Sequence, residues 1–285
     1  MASIVPEIEI GTEVKKHKQP KQPKQISMGA GYQGVFKLFK RSIVLIVLVL
    51  LWENAPRVGI VNPAFCPPFS DVLKAWWELV ISGDLWVEFL ASIKRSLAGF
   101  GLALVFGIPL GILIGWYPLI KDLLNPTFEV FRNTARLALL PVFILFLGID
   151  EASKITIVFY ACIIPILLNT IAAVKNVDPL LIKSARSMNV SSYKLFVKVI
   201  FPASFPMIFT GIRMAGTGCI LVLIAAEMVG AKEGLGFLIT YSQFNFQISE
   251  MYAGILTISA LGLTLNQGLV LLERRFSRWK QLPNE

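Results

Sequence analysis

A chain of 285 residues that is 55% apolar and only 16% charged carries more apolar surface than one soluble core can bury, and its long apolar runs mark a polytopic membrane protein. The net charge of +9 gathers in the N-terminal tail, a central polar segment and the C-terminus, a placement that suits membrane topology and lipid and gives no reason to expect nucleic acid. Cys66, Cys162 and Cys219 lack metal spacing, His17 is the single histidine, and no GxxxxGK(S/T) phosphate loop occurs, so no resident metal is expected and any ATP that drives the protein must be bound by another chain.

Residues 1–30 are polar, with Lys15, Lys16, Lys18, Lys21 and Lys24 among Gln and Pro, and read as a disordered, basic cytoplasmic tail. Charge and Pro precede the first apolar run by too far for a cleavable signal peptide. Residues 31–285 read as a single transmembrane domain. The first span is predicted over 35–53, and Lys37, Lys40 and Arg41 before its apolar centre put its N-terminus in the cytoplasm. Residues 71–82, with Val72, Leu73, Trp76, Trp77 and Val80, suit an amphipathic helix on the outer interface.

The second span covers 89–116. Gly107, Gly111 and Gly115 recur every fourth residue, which bares one helix face for close packing, and Pro109 predicts a bend. Lys94 and Arg95 near its outer end run against the charge rule. A third span ends near Gly148 and carries Glu129, Arg132, Asn133 and Arg136. Such charges face protein or a water-filled cavity. Glu129 and Arg132 either pair with each other or meet substrate; Arg136 has no local carboxylate and is the better candidate for an anion. The fourth span, 155–174, holds Pro165 and Asn169, the latter suited to a bond between helices. The fifth, 205–229, holds Arg213 and Glu227, and the sixth, 251–272, ends in a basic flank of Arg274, Arg275, Arg278 and Lys280. The expectation is an all-α protein of about six spans with both termini inside. No internal repeat supports an inverted-repeat carrier.

Between the fourth and fifth spans lies a polar segment, 177–202. Asp178-Pro179 is a helix start, Asn189 a left-handed stop, Ser191 the cap of a second short helix through Tyr193, Phe196 and Val199, and Pro202 its limit. This is a helix–turn–helix with apolar knobs, suited either to resting on lipid headgroups or to docking a soluble partner.

That segment resembles the cytoplasmic loop of permease subunits of bacterial binding-protein-dependent ABC importers, whose pattern is Glu-Ala-Ala, three residues, Gly, nine residues, Ile, one residue, Leu-Pro. The register here is Lys183-Ser184-Ala185, Asn189, Val199, Phe201-Pro202, with Lys in place of the leading acid. The stretches LALLPVFILFLGIDEASKI, PILLNTIAAVKNVDP, IRMAGTGCILVLIAAEMVGAKEGLGFLI and YAGILTISALGLTLNQGLVLLERRFSRW are similar to the nitrate, sulfonate and taurine branch, over roughly 68–280. The resemblance implies a type I importer permease fold in the bacterial inner membrane, with a second permease chain, expected to be identical, around a central pathway. ATPase subunits, which carry ATP and Mg, would sit beneath, and a periplasmic or lipid-anchored binding protein would deliver a small anion.

The implied ATPase-coupling residues are Lys183, Ser184, Ala185, Asn189, Tyr193, Leu195, Phe196 and Pro202, with Tyr193, Leu195 and Phe196 seated in an ATPase groove. The pathway candidates are Arg132, Arg136, Asn169, Arg213 and Glu227. An uncharged residue is more usual in the branch where this chain has Arg136. Two competing readings stand beside this one: an ion-coupled secondary transporter resting on Glu129 and Glu227, and a membrane scaffold that only recruits a partner.

Overall fold

The computed structural model describes residues 30–276, with side chains over 43–275 apart from that of Pro118. The basic tail, including Lys15 to Lys24 and His17, and the final Arg278 and Lys280 lie outside the described residues. The chain divides into two units, Met1–Leu50 and Leu51–Glu285. The described part of the first is the start of helix α1 (Ala30–Arg57), apolar at every position from Ile43 to Leu50.

The second unit contains the end of α1 and ten further helices among the described residues: α2 (Phe69–Ser82), α3 (Asp84–Trp116), α4 (Pro118–Asn133), α5 (Leu140–Leu147), α6 (Glu151–Lys175), α7 (Pro179–Ser187), α8 (Ser192–Leu195), α9 (Phe201–Met228), α10 (Leu235–Phe244) and α11 (Ile248–Phe276). Four stretches among the described residues are long and apolar enough to cross a membrane: Asp84–Trp116, Glu151–Lys175, Ser192–Met228 and Ile248–Arg275.

The expected third span is not one straight helix. Leu119–Asn133 and Arg136–Leu147 meet at 92°, a broken span or a re-entrant loop. Thr134 and Ala135 are extended, and at the end of α4 two side chains turn back onto carbonyls one turn earlier: Asn133 Nδ2 donates to Glu129 O and Thr134 Oγ1 to Val130 O, both at 2.8 Å, the latter carbonyl also accepting the Thr134 N–H. The polar residues expected inside this span thus flank the break, Glu129, Arg132 and Asn133 before it and Arg136 after it. A 3-10 turn, Arg136–Leu139, leads into α5.

The centre of the unit is α3, α6 and α9, with Ala103, Val158, Cys162, Ile166, Ala215, Cys219 and Leu223 in its core. The cysteines pack as expected: Cys162 and Cys219 are buried and free, their thiols directed at the carbonyls of Ala215 and Ser96. The glycine stripe on α3 lies against α6, with Gly99 at Val158, Gly107 at Ile166, Gly111 at Thr170 and Gly115 at Val174. A Cβ on Gly111 would fall 2.6 Å from Thr170 Cβ and 3.1 Å from the Leu167 carbonyl oxygen. Gly111→Leu should therefore force the helices apart and cost about 3 kcal/mol or more. Gly101→Leu, on the same helix with nothing within 4 Å, should leave the melting temperature in detergent unchanged.

α3 runs unbroken through Pro109. The predicted amphipathic helix is α2. Rather than only resting on an interface, it buries Val72, Ala75 and Leu79, and Trp76 Nε1 donates to Thr257 Oγ1 of α11 at 3.0 Å.

Candidate functional site

At the end of the bundle where α6 gives way to α9, the chain folds as a pinned helical loop. Asp178 caps α7, accepting from Leu180 N–H at 2.8 Å, with Pro179 at the first helical position. Asn189 closes α7 with φ 56°, in the left-handed region. Asn189 N–H donates to Arg186 O and Val190 N–H to Ala185 O, the paired bonds of a Schellman stop. Asn189→Gly should preserve this stop, while Asn189→Val should cost about 1–2 kcal/mol and expose the loop to limited proteolysis.

Pro202 does not limit the second short helix. α8 passes through a π-helical segment, Phe196–Ile200, directly into α9, so Ser192–Met228 is continuous. The wider π turn, in which Phe201 N–H donates to Phe196 O, shifts the hydrogen-bond ladder just before Pro202 and so accommodates its missing N–H inside a continuous helix.

The loop has an inside and an outside. Ala185, Leu195 and Ile200 are buried with Val174 and Val177, and Phe196 is half-buried, its ring edge-on to Trp116 at 5.3 Å. Leu195, expected as an outward knob, is 3% exposed and pins the loop to the bundle. Helical spacing puts it opposite the face that Tyr193 presents. Tyr193 is 78% exposed, and Leu180, Leu181 and Met188 are exposed with it. Lys183, Ser184, Arg186, Lys194, Lys198 and Pro202 are exposed as well. The outer surface is thus apolar knobs among basic side chains. A cavity of about 270 Å³ beside it is lined by Ile112, Leu113, Trp116, Ser192, Tyr193 and Phe196, among others.

The pathway candidates lie in separate surroundings. Arg132 and Glu129 are exposed and 3.7 Å apart, three residues apart on α4. Asn169 Nδ2 donates within α6 to Pro165 O at 2.8 Å, while its Cβ fits against Gly211 of α9. Arg213 pairs with Glu273 of α11 at 2.8 Å. Arg136 is half-buried at the start of the 3-10 turn, and its Nη1 lies 3.6 Å from where a Cβ on Gly218 would sit.

Glu227 is 0% exposed and belongs to a charge cluster at the opposite end of the bundle from the pinned loop. Arg95, 4% exposed, donates through Nη1 to Glu227 Oε1 at 2.8 Å and to Glu233 O at 2.6 Å. Its Nε and Nη2 form a bidentate pair with Glu151 at 2.5 Å each. Ser92 Oγ lies 2.8 Å from Glu227 Oε2 and accepts from Leu235 N–H at 2.9 Å; Gly236 N–H donates to Glu227 Oε2 at 3.0 Å; Gly234 N–H donates to Glu88. The start of α10 thus wraps a carboxylate of its own chain. Gly234, at φ 120°, is required there, because a Cβ would strike the Glu227 carboxyl. Arg95 and Glu151 were absent from the expected site residues. Arg95 on the wrong side of the charge rule was the available signal, and its buried partners explain the exception.

A family model described as "Binding-protein-dependent transport system inner membrane component" matches residues 107–278. The taurine transport system permease protein TauC of Escherichia coli is 33% identical over 241 residues, covering 82% of this chain and 87% of its own length. The bicarbonate transport system permease protein CmpB of a Synechocystis strain is 35% identical over 238 residues, covering 79% and 84%. Among solved structures, the inward-facing MetNI methionine ABC transporter is similar with a TM-score of 0.59 at 16% identity, over 67% of this chain and 97% of that one. The chain belongs to the binding-protein-dependent transport system inner membrane components, as an ABC importer permease of the branch that includes the taurine and bicarbonate permeases.

Proposed function

We propose that this chain forms half of the translocation pathway of an ATP-driven importer for a small anion of the sulfonate, nitrate or bicarbonate kind, paired with a second, identical copy. The observation that carries this reading is the outer surface of the pinned loop, where Tyr193, Met188 and Leu180 stand exposed on a scaffold fixed by Leu195 and Ala185. Burial of apolar knobs in a partner groove supplies affinity without fixing one hydrogen-bond geometry, which suits a joint that must move. In this arrangement the loop is cytoplasmic and docks an ATPase subunit that binds ATP and Mg; this chain hydrolyses nothing. Lys183, Arg186, Lys194 and Lys198 call for acidic residues around the ATPase groove.

The charge cluster then lies at the periplasmic end, towards the binding protein, and both termini are cytoplasmic. α9 leaves Met207, Met214, Leu221 and Met228 exposed at seven-residue intervals, a face suited to the two-fold axis and the pathway. Closure of the ATPase pair would tilt the loops and, through α9, alternate access across the bundle.

Native mass spectrometry of the complex extracted in mild detergent tests the assembly. The reading predicts two copies of this chain with two ATPase subunits. A chain that remains alone in every detergent that preserves its melting transition would overturn it.

A further inference from the structure

We propose that Arg136 and Tyr160 form an anion-holding station within the bundle, taking the oxygens of a small, singly charged oxyanion. This rests on the anion-import reading and assigns it a place in the chain.

Arg95, Arg132 and Arg213 each hold a carboxylate, whereas Arg136 holds none among the described residues. Yet Arg136 is half-buried, at the start of a turn that packs against both α6 and α9. A guanidinium without a counter-charge inside a membrane protein faces water or awaits an anion. On α6, the Tyr160 hydroxyl is buried and has no hydrogen-bond partner. Its ring is held in place by Phe131, with centroids 6.2 Å apart, and Phe143, at 6.0 Å. Phe131 and Phe143 flank Arg136 in the chain, and the Arg136–Leu139 turn between them packs against α6, the helix that carries Tyr160. Beside it there is room: a Cβ on Gly218 would meet nothing within 4 Å except Arg136 Nη1. The neighbouring α9 residues Met214, Thr217 and Leu221 are exposed.

One anion resolves both groups. The guanidinium fork matches two coplanar oxygens, and a phenol hydroxyl donates to an oxygen. Sulfonate, nitrate and bicarbonate share that geometry. An ammonium or a neutral solute would leave the Arg136 charge unmatched.

The test uses Gly218→Cys in the full transporter complex in proteoliposomes, with labelling of the wild-type chain subtracted. The probes are an anionic reagent, 2-sulfonatoethyl methanethiosulfonate, and a cationic one, 2-(trimethylammonium)ethyl methanethiosulfonate, each normalised to its rate with a free thiol. The anionic reagent should react about 10-fold faster than the cationic one, and the preference should vanish with Arg136→Gln and survive Arg136→Lys. Methanesulfonate should slow the anionic reaction, less so with Tyr160→Phe and not at all with Arg136→Gln. Equal preference with Arg or Gln at 136, or no labelling by either reagent, would overturn the station. Failure of ATP-driven anion uptake by the same proteoliposomes would instead strike the import reading.

Discussion

Arg95→Met should lower the apparent melting temperature in detergent by on the order of 10 °C, a larger loss than any other single charge removal in the described residues. The reason is what remains. Glu227 is fully enclosed by Ser92, Arg95 and the N–H of Gly236, so removing the guanidinium leaves a buried carboxylate without its ion-pair partner. Breaking a buried pair from one side costs about 3–5 kcal/mol. The same change frees Glu151 and the Glu233 carbonyl, which tie α6 and the segment before α10 to α3. Arg95→Met with Glu227→Gln should recover part of the loss, because a neutral amide still accepts from Gly236 and leaves no bare charge. Thermal unfolding of the three variants measures this. Equal melting temperatures for wild type and Arg95→Met would contradict the cluster's structural role.

Met188→Asp with Tyr193→Asp should weaken ATPase association at least about 100-fold, equivalent to about 2.7 kcal/mol. Both side chains are exposed, so the variant should keep its melting temperature. Leu195→Asp should behave differently. That residue is buried with Val174, Val177 and Ile200, and the charge would unfold the loop itself. Pull-down of the ATPase together with a melting curve separates the two cases. Unchanged association for the double variant would remove the exposed knobs from the docking surface.

The contrast between Tyr193 and Leu195 marks how far the sequence was readable. Asp178-Pro179 and Asn189 were legible because caps and left-handed stops are set by residues within a turn of each other. The glycine stripe on α3 was legible because its period belongs to one helix. Which side of the loop's second short helix faces inward was not, since Tyr193, Leu195 and Phe196 are all apolar enough for either side and the core that decides lies on α3 and α6. The break after Asn133 was missed for a related reason. A run of polar residues reads equally as buried charge or as side chains that fold back onto their own helix at its end, and Asn133 and Thr134 do the second. Arg95 and Glu227 are 132 residues apart, a pairing that no local pattern announces. For the pathway candidates, the sequence named residue types. The structure shows that Arg213 and Glu227 already have partners within the chain, while Arg136 has none among the described residues. The two acids on which an ion-coupled carrier would rest are likewise engaged, Glu129 with Arg132 and Glu227 with Arg95.

The central claim is that this chain moves solute only under the drive of a separate ATPase. Uptake of labelled methanesulfonate and bicarbonate should be measured in proteoliposomes holding the co-purified complex and its binding protein, with ATP supplied on the ATPase side and ion gradients collapsed. The account predicts uptake of one of these anions that requires ATP, survives collapse of the gradients and is lost with Met188→Asp and Tyr193→Asp. Uptake by the chain alone, driven by an ion gradient and indifferent to ATP, would contradict it.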